Sequence, residues 1–229
     1  MQKPKNPTKE APAEVERLRS DLARRIAAHT HVEGPIRTAV PGLGLARRSA
    51  TTECYSAAYE PELVVFAQGE KHVTVGGVTH VCDGSKFLLT SIDLPVLGQF
   101  TRASKSEPFL AMSLKLEMPA VREILSQEEF LAPDSTLGAH GLAVGKTPPE
   151  LLTACTRLID LLDTPRDIPF LSALIQREII YRVLRSPLGR HLRAIATLGE
   201  QSNRTAKAVA WLKTNYAKPL RVEELASVA

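Results

Sequence analysis

The diglycine Gly76-Gly77 constrains this chain more than any other pair of residues. It separates two short runs rich in valine and threonine, Lys71–Val75 and Val78–Cys82. A two-residue hairpin turn matches the twist of its strands when both central residues take positive φ, and glycine does so without steric cost. The pair therefore predicts a β-hairpin and sets its register: Val75 opposite Val78, Val73 opposite His80, Lys71 opposite Cys82. One face then carries Lys71, Val73, Val75, Val78, His80 and Cys82, and the other His72, Thr74, Thr79 and Val81.

Further strand-like runs flank the hairpin. Ile36–Val40 and Leu43–Arg47 are joined by the turn signal Pro41-Gly42, and Leu63–Gln68, Phe87–Thr90, Pro95–Thr101 and Pro108–Glu117 follow. Short strands with turns every ~8–12 residues predict a sandwich or barrel. The rest reads as helix. Ala13–His29 carries a narrow stripe of Val15, Leu18, Leu22 and Ile26, which must pack on the following domain or on a second copy of itself. Its basic flank, Arg17, Arg19, Arg24 and Arg25, reads as a solvated face. Pro119–Gln127 is a short helix, and Glu128–Thr147 reads as a loop. Pro149–Asp163, a helix capped by Asp167 and running to Arg185, and a third begun by Ser186-Pro187 complete an α+β chain.

Of 229 residues, 44% are hydrophobic and 24% charged, with a formal net charge of +4. This mildly basic balance permits an anionic partner without demanding one. Cys54, Cys82 and Cys155 are odd in number and widely spaced, which fits a reducing compartment better than a disulfide framework. No apolar run reaches the ~18 residues of a membrane span and no signal-peptide core is present, so a cytoplasmic protein without membrane contact is expected.

No catalytic motif stands out. A metal-holding barrel needs inward histidines with a carboxylate. The histidines are His29, His31, His72, His80, His140 and His191. Only His72 and His80 lie in the hairpin, on opposite faces, so no metal site and no cofactor are expected. Val73, His80 and Cys82 share the more apolar face. Leu110, Met112, Leu114 and Leu116 alternate along the last long strand and are expected to face inward as well. Val73, His80, Cys82 and Met112 are thus candidate walls of an effector pocket, with an ordinary core as the other reading. A reactive Cys82 needs a cationic neighbour, and Lys71 stands opposite it.

The end of the chain reads as two helices broken at Lys218-Pro219. Ala208-Val209, Trp211-Leu212, Asn215-Tyr216, Pro219-Leu220, Val222-Glu223, Leu225-Ala226 and Ala229 together resemble the opening of the DNA-binding domain of AraC-family bacterial transcription regulators. Thr205 departs from the larger apolar residue usual there. Tyr59-Glu60-Pro61, Gln68-Gly69, Lys71, Val75-Gly76, Leu88–Val96, Ala103-Ser104 and Pro108–Ala111 resemble the sensor domain of one subfamily. Arg157-Leu158, Leu161-Leu162-Asp163, Arg177-Glu178-Ile179, Tyr181–Leu184, Gly189 and Leu192-Arg193 resemble its linker helices.

The resemblance implies a tail and amphipathic helix over 1–33, then a cupin-like double-stranded β-helix sensing an effector over 34–127. A loop and helical linker that dimerises follows over 128–200. The start of a helix-turn-helix domain occupies 201–229, with the recognition helix expected beyond Ala229. Expected partners are a small-molecule effector, a second copy of the chain, and DNA through the complete parent protein. Leu158, Leu162, Ile175 and Ile179 are the candidate dimer seam. The alternatives are a small-molecule or metal-binding cupin enzyme, and a dimerisation module without ligand. Since base-specific contacts come from a recognition helix in the major groove, the 229-residue chain is expected to bind DNA only weakly and without sequence preference. Tight binding to one operator over scrambled DNA at physiological salt contradicts this.

Overall fold

The structure, a computed structural model, describes residues 10–90, 94–127, 141–197 and Trp211. Ten strands and five α-helices run in the order α1 (Glu10–His29), β1 (Gly34–Arg37), β2 (Leu43–Arg48), β3 (Tyr55–Tyr59), β4 (Glu62–Gln68), β5 (Glu70–Val75), β6 (Val78–Asp83), β7 (Lys86–Thr90), β8 (Leu94–Arg102), β9 (Phe109–Lys115), α2 (Met118–Gln127), β10 (Leu142–Lys146), α3 (Pro149–Asp160), α4 (Ile168–Arg185) and α5 (Gly189–Thr197). A 3-10 turn at Pro165–Asp167 leads into α4. The strands form a six-stranded sheet, β1-β2-β9-β4-β7-β10, facing a four-stranded sheet, β3-β8-β5-β6. All pairings are antiparallel. The α+β class and the two-layered β architecture agree with the sequence reading.

Turn chemistry explains the clearest register. Gly76 and Gly77 have φ of 55° and 81°, and Val75 pairs with Val78, Val73 with His80 and Lys71 with Cys82, as expected. Gly42 takes φ 76° and the Leu43 N–H donates to the Val40 carbonyl at 3.1 Å. Val40-Pro41-Gly42-Leu43 is therefore a tight turn with glycine where φ must be positive.

The central strands of the six-stranded sheet are buried on both faces. Leu63, Val65, Leu89, Leu110, Met112 and Leu114 share a cluster with Leu22 and Ile26 of α1 and with residues of α3 and α4. Phe66, Leu88, Phe109 and Ala111 pack instead against Val73, Cys82, Val96 and Phe100 of the small sheet. The expected inward set on the last long strand is thus reversed. Met112 pairs with Val65 and faces the helices, whereas Ala111 pairs with Phe66 and faces the other sheet. With both faces apolar, alternation marks the strand but not which side meets which layer.

The stripe on α1 packs on the domain itself: Leu22 and Ile26 are fully buried, with Val15 and Leu18 against the same cluster. Tyr55–Tyr59, to which the sequence reading assigned no element, and Leu142–Lys146, read as part of a loop, are strands at sheet edges. β10 lies within the expected 128–147 loop and owes its conformation to pairing with β7. Asp167 stands at the N-cap of α4 without a side-chain capping bond. The Ser186 hydroxyl accepts from the Leu188 N–H at 3.2 Å, as a capping serine should. No helix of the described residues is long and apolar enough to cross a membrane. The expected helix-turn-helix start lies outside the described residues, except that Trp211 is helical.

The expected dimer seam is corrected in part. Leu158 and Ile179 are fully buried within one protomer, Ile175 nearly so, and Leu162 is half-buried against the same cluster. Their apolar surface is already covered by neighbouring helices and the sheet. Ile179→Ala is expected to cost about 2–5 kcal/mol, as truncation of a buried isoleucine does, without changing the association state. Paired denaturation and sedimentation measurements check this.

Candidate functional site

Alternation along each strand decides which side chains meet between the sheets. Ala46 and Arg48 pair with Ala111 and Phe109, and Val64 and Phe66 with Ser113 and Ala111. These side chains form one wall. From the small sheet come Tyr55, Ala57 and Tyr59 of β3, Lys71 of β5 and Phe100 of β8. Together they line a partly open cavity of about 350 Å³, near the lower end of ligand-pocket sizes.

Lys71 is the unusual member. Its residue is only 8% exposed. The ammonium donates to the Tyr59 hydroxyl at 2.7 Å and lies 4.9 Å from the Phe100 ring centre, 5.1 Å from Tyr59 and 5.5 Å from Tyr55. Aromatic faces attract a cation but do not neutralise it. Among the described residues no carboxylate lies within ion-pairing distance of it. Burial pushes the Lys71 pKa down to about 8, opposed by electrostatic coupling to Cys82 and Glu62. Glu62, on the facing wall, is pushed up to about 7 by burial, which outweighs the lowering effect of the Ser113 hydroxyl beside it. Burial raises Tyr59 and Tyr55 as well.

Glycine makes the room. A Cβ on Gly98 of β8 would meet the Tyr55 ring at 2.9 Å and Lys71 Cε at 3.2 Å. The aromatic frame is built by Phe100, stacked with Tyr55 at 5.9 Å and edge-on to Phe109 at 4.8 Å. Arg48 sits over Phe100 at 5.8 Å, so a second cation reaches the same ring.

The sequence-derived candidates are only partly assembled here. Met112 borders the cavity, but its side chain belongs to the helix-side cluster. Val73 and Cys82 are fully buried in the core between the sheets and do not line the cavity, and half-buried His80 lies outside it. Cys82 is no activated thiol: burial pushes it up to about 12, outweighing Lys86 and Lys71. Sequence reasoning missed Arg48, Tyr55, Tyr59, Glu62 and Phe100. The period-two spacing of Tyr55, Ala57 and Tyr59 was the available signal, and Lys71 was placed on the correct hairpin face without being read as a ligand group.

A larger, more open depression of about 560 Å³ lies between α1 and the 102–108 turn, lined by Arg19, Arg24, Arg47, Arg102 and Lys105. Arg19 pairs with Glu16 and Arg24 with Asp21, so part of its charge is satisfied. His72 meets Glu70 at 3.2 Å on the hairpin's other face. Among the described residues no three His, Cys, Asp or Glu side chains converge in a metal-holding group.

The Glu62 environment makes a signed prediction. Its folded pKa of about 7 lies above the ordinary 4.5 of a glutamate, so the folded state holds the extra proton between those pH values. Stability falls as pH rises through that window. Glu62→Gln is therefore expected to gain on the wild type from pH 4.5 to 7, by several °C in Tm, since about 1 kcal/mol moves Tm by roughly 2–4 °C at this size. A constant gap across that range refutes the assignment.

No curated protein sequence matches the chain significantly. Among solved structures it is similar to ToxT from Vibrio cholerae O395 bound to (E)-4-(8-methylnaphthalen-1-yl)but-3-enoic acid, at 10% identity and TM-score 0.50, covering 81% of this chain and 69% of that one. It also matches the unsaturated fatty acid-bound ToxT from Vibrio cholerae strain SCE256, at 9% identity and TM-score 0.47, covering 81% and 67%. The AraC-like transcriptional activator CuxR matches at 10% identity and TM-score 0.36, covering 81% and 65%. At 10% identity the likeness to the first of these is one of fold alone. The family described as AraC-type transcriptional regulator N-terminus matches residues 39–191, well over half of the chain, and the chain therefore belongs to that family of transcription regulators.

Proposed function

We propose that this chain is the sensor and dimerisation part of an effector-responsive, DNA-binding regulator. Residues 34–127 are read as the sensor, 128–200 as linker and dimerisation region, and 201–229 as the start of the DNA reader. The observation that carries the reading is the cavity between the sheets and its relation to β9. Ala111 and Ser113 border the cavity, while Met112 and Leu114 of the same strand pack against the helical cluster. A ligand that prefers one setting of β4 and β9 then also biases the helices behind them, which is linkage between effector and dimer arrangement.

The dimer contact is assigned to the start of α4. Phe170 is 75% and Leu174 63% exposed, with Leu171 beside them. They sit within one helical turn and offer an apolar surface suited to a two-fold, self-complementary contact. Phe170→Glu combined with Leu174→Glu is expected to convert dimer to monomer in sedimentation, with cooperative unfolding retained and a midpoint that no longer rises with protein concentration. A wild-type monomer at tens of micromolar removes this part of the reading.

A thermal-shift screen of metabolites against the chain tests the sensor. At least one small molecule is expected to stabilise it by several °C, and Gly98→Leu, which fills the cavity from β8, is expected to abolish the shift while the protein stays folded. A library that stabilises neither protein favours a ligand-free dimerisation module instead.

A further inference from the structure

Among the described residues, the buried Lys71 ammonium in the cavity has no ion-pair partner. A buried ammonium is costly unless it is paired or fully hydrogen-bonded. Lys71 has one hydrogen-bond acceptor, the Tyr59 hydroxyl, and three aromatic faces around it. Two of its three donors meet no acceptor among the described residues. Glu62, the nearest candidate on the opposite wall, forms no ion pair with it and is engaged by Ser113. Arg48 adds a second cation beside Phe100.

Among the described residues, the titratable groups that face the ammonium are Tyr55 and Tyr59 on β3, Arg48 on β2, Glu62 on β4 and Cys82 on β6. None supplies a settled negative charge at neutral pH. Both tyrosines and Cys82 are held in their neutral forms by burial, and Glu62 is shared between its two forms near pH 7. The site therefore lacks an anion that a ligand can bring.

We propose that the inter-sheet cavity recognises a compact carboxylic acid, its carboxylate received by Lys71 with Arg48 nearby and its aryl or short alkyl body held among Tyr55, Phe66, Phe100 and Phe109. A carboxylate offers several acceptor sites, enough for the two remaining Lys71 donors. The ring-lined walls suit an apolar body, and the cavity of about 350 Å³ limits its size. An amide of the same shape offers Lys71 one neutral carbonyl acceptor and no charge, so the acid is favoured by the difference between charge-assisted and ordinary hydrogen bonds.

This inference rests on the reading of the cavity as the effector site, and the experiment separates the two. Calorimetric titration of the full 229-residue chain at pH 7 uses 3-phenylpropionate, benzoate and hexanoate, with 3-phenylpropionamide and benzamide as uncharged controls. A carboxylate is expected to bind, its amide at least about 10-fold more weakly, and Lys71→Met to lose about 10- to 100-fold in affinity, the range for a charge-assisted hydrogen bond. Gly98→Leu is the second variant: it keeps Lys71 but narrows the cavity, and is expected to lose the same ligands. Equal binding of acid and amide, or carboxylate affinity unchanged in Lys71→Met, overturns the carboxylate assignment and leaves the effector cavity standing. Carboxylate binding unaffected by both variants overturns the assignment to this cavity. If no carboxylate binds while other members of the metabolite library stabilise the chain, the ligand class is wrong. If nothing in either set binds, both readings fail.

Discussion

The central strands of the six-stranded sheet are buried on both faces, and the rest of the molecule follows from that constraint. They must be apolar on both sides, one meeting α1, α3 and α4 and the other meeting the small sheet. A sheet buried on both faces is a structural relay, since neighbouring residues on one strand touch different layers. On β9, Ala111 and Ser113 look toward the cavity and Met112 and Leu114 toward the helices. Close packing resists continuous deformation, so a shift on one side is expressed as repacking on the other.

Between the sheets the packing is deliberately incomplete. Gly98 leaves space, Tyr55 and Phe100 line it, and Lys71 is placed there by the register of the diglycine hairpin. An inward lysine opposes stability in the empty domain, as its depressed pKa indicates. A group retained against its own desolvation cost is a sign of a site rather than of a core. The helical layer is different in character: its interior is closed, with Leu158 and Ile179 fully covered, and its free apolar surface lies at Phe170 and Leu174.

The sequence made these features legible to different degrees, for physical reasons. The hairpin register was readable because Gly76 and Gly77 admit few turn geometries. The helices were readable from their apolar spacing. The phase of β9 was not, because a strand apolar on both faces gives no sign of which face meets which layer. β3 escaped notice because alanine and serine fill the positions between its tyrosines, and β10 because it is a short edge strand held by β7. Leu158, Ile175 and Ile179 were misassigned for a related reason: an apolar helical face states that it is buried, not by what. Lys71 was visible on the inward face of the hairpin, yet only the three rings gathered from β3 and β8 identify it as a ligand group.

The central claim is that occupancy of the inter-sheet cavity is felt by the helical layer through β4 and β9. Hydrogen exchange of the chain, with and without a saturating cavity ligand, tests it most directly. The account predicts slower exchange in β3, β4 and β9 together with an altered rate in α3 or α4, both absent from Gly98→Leu. Protection confined to the strands, or to the charged cleft beside α1, would contradict it.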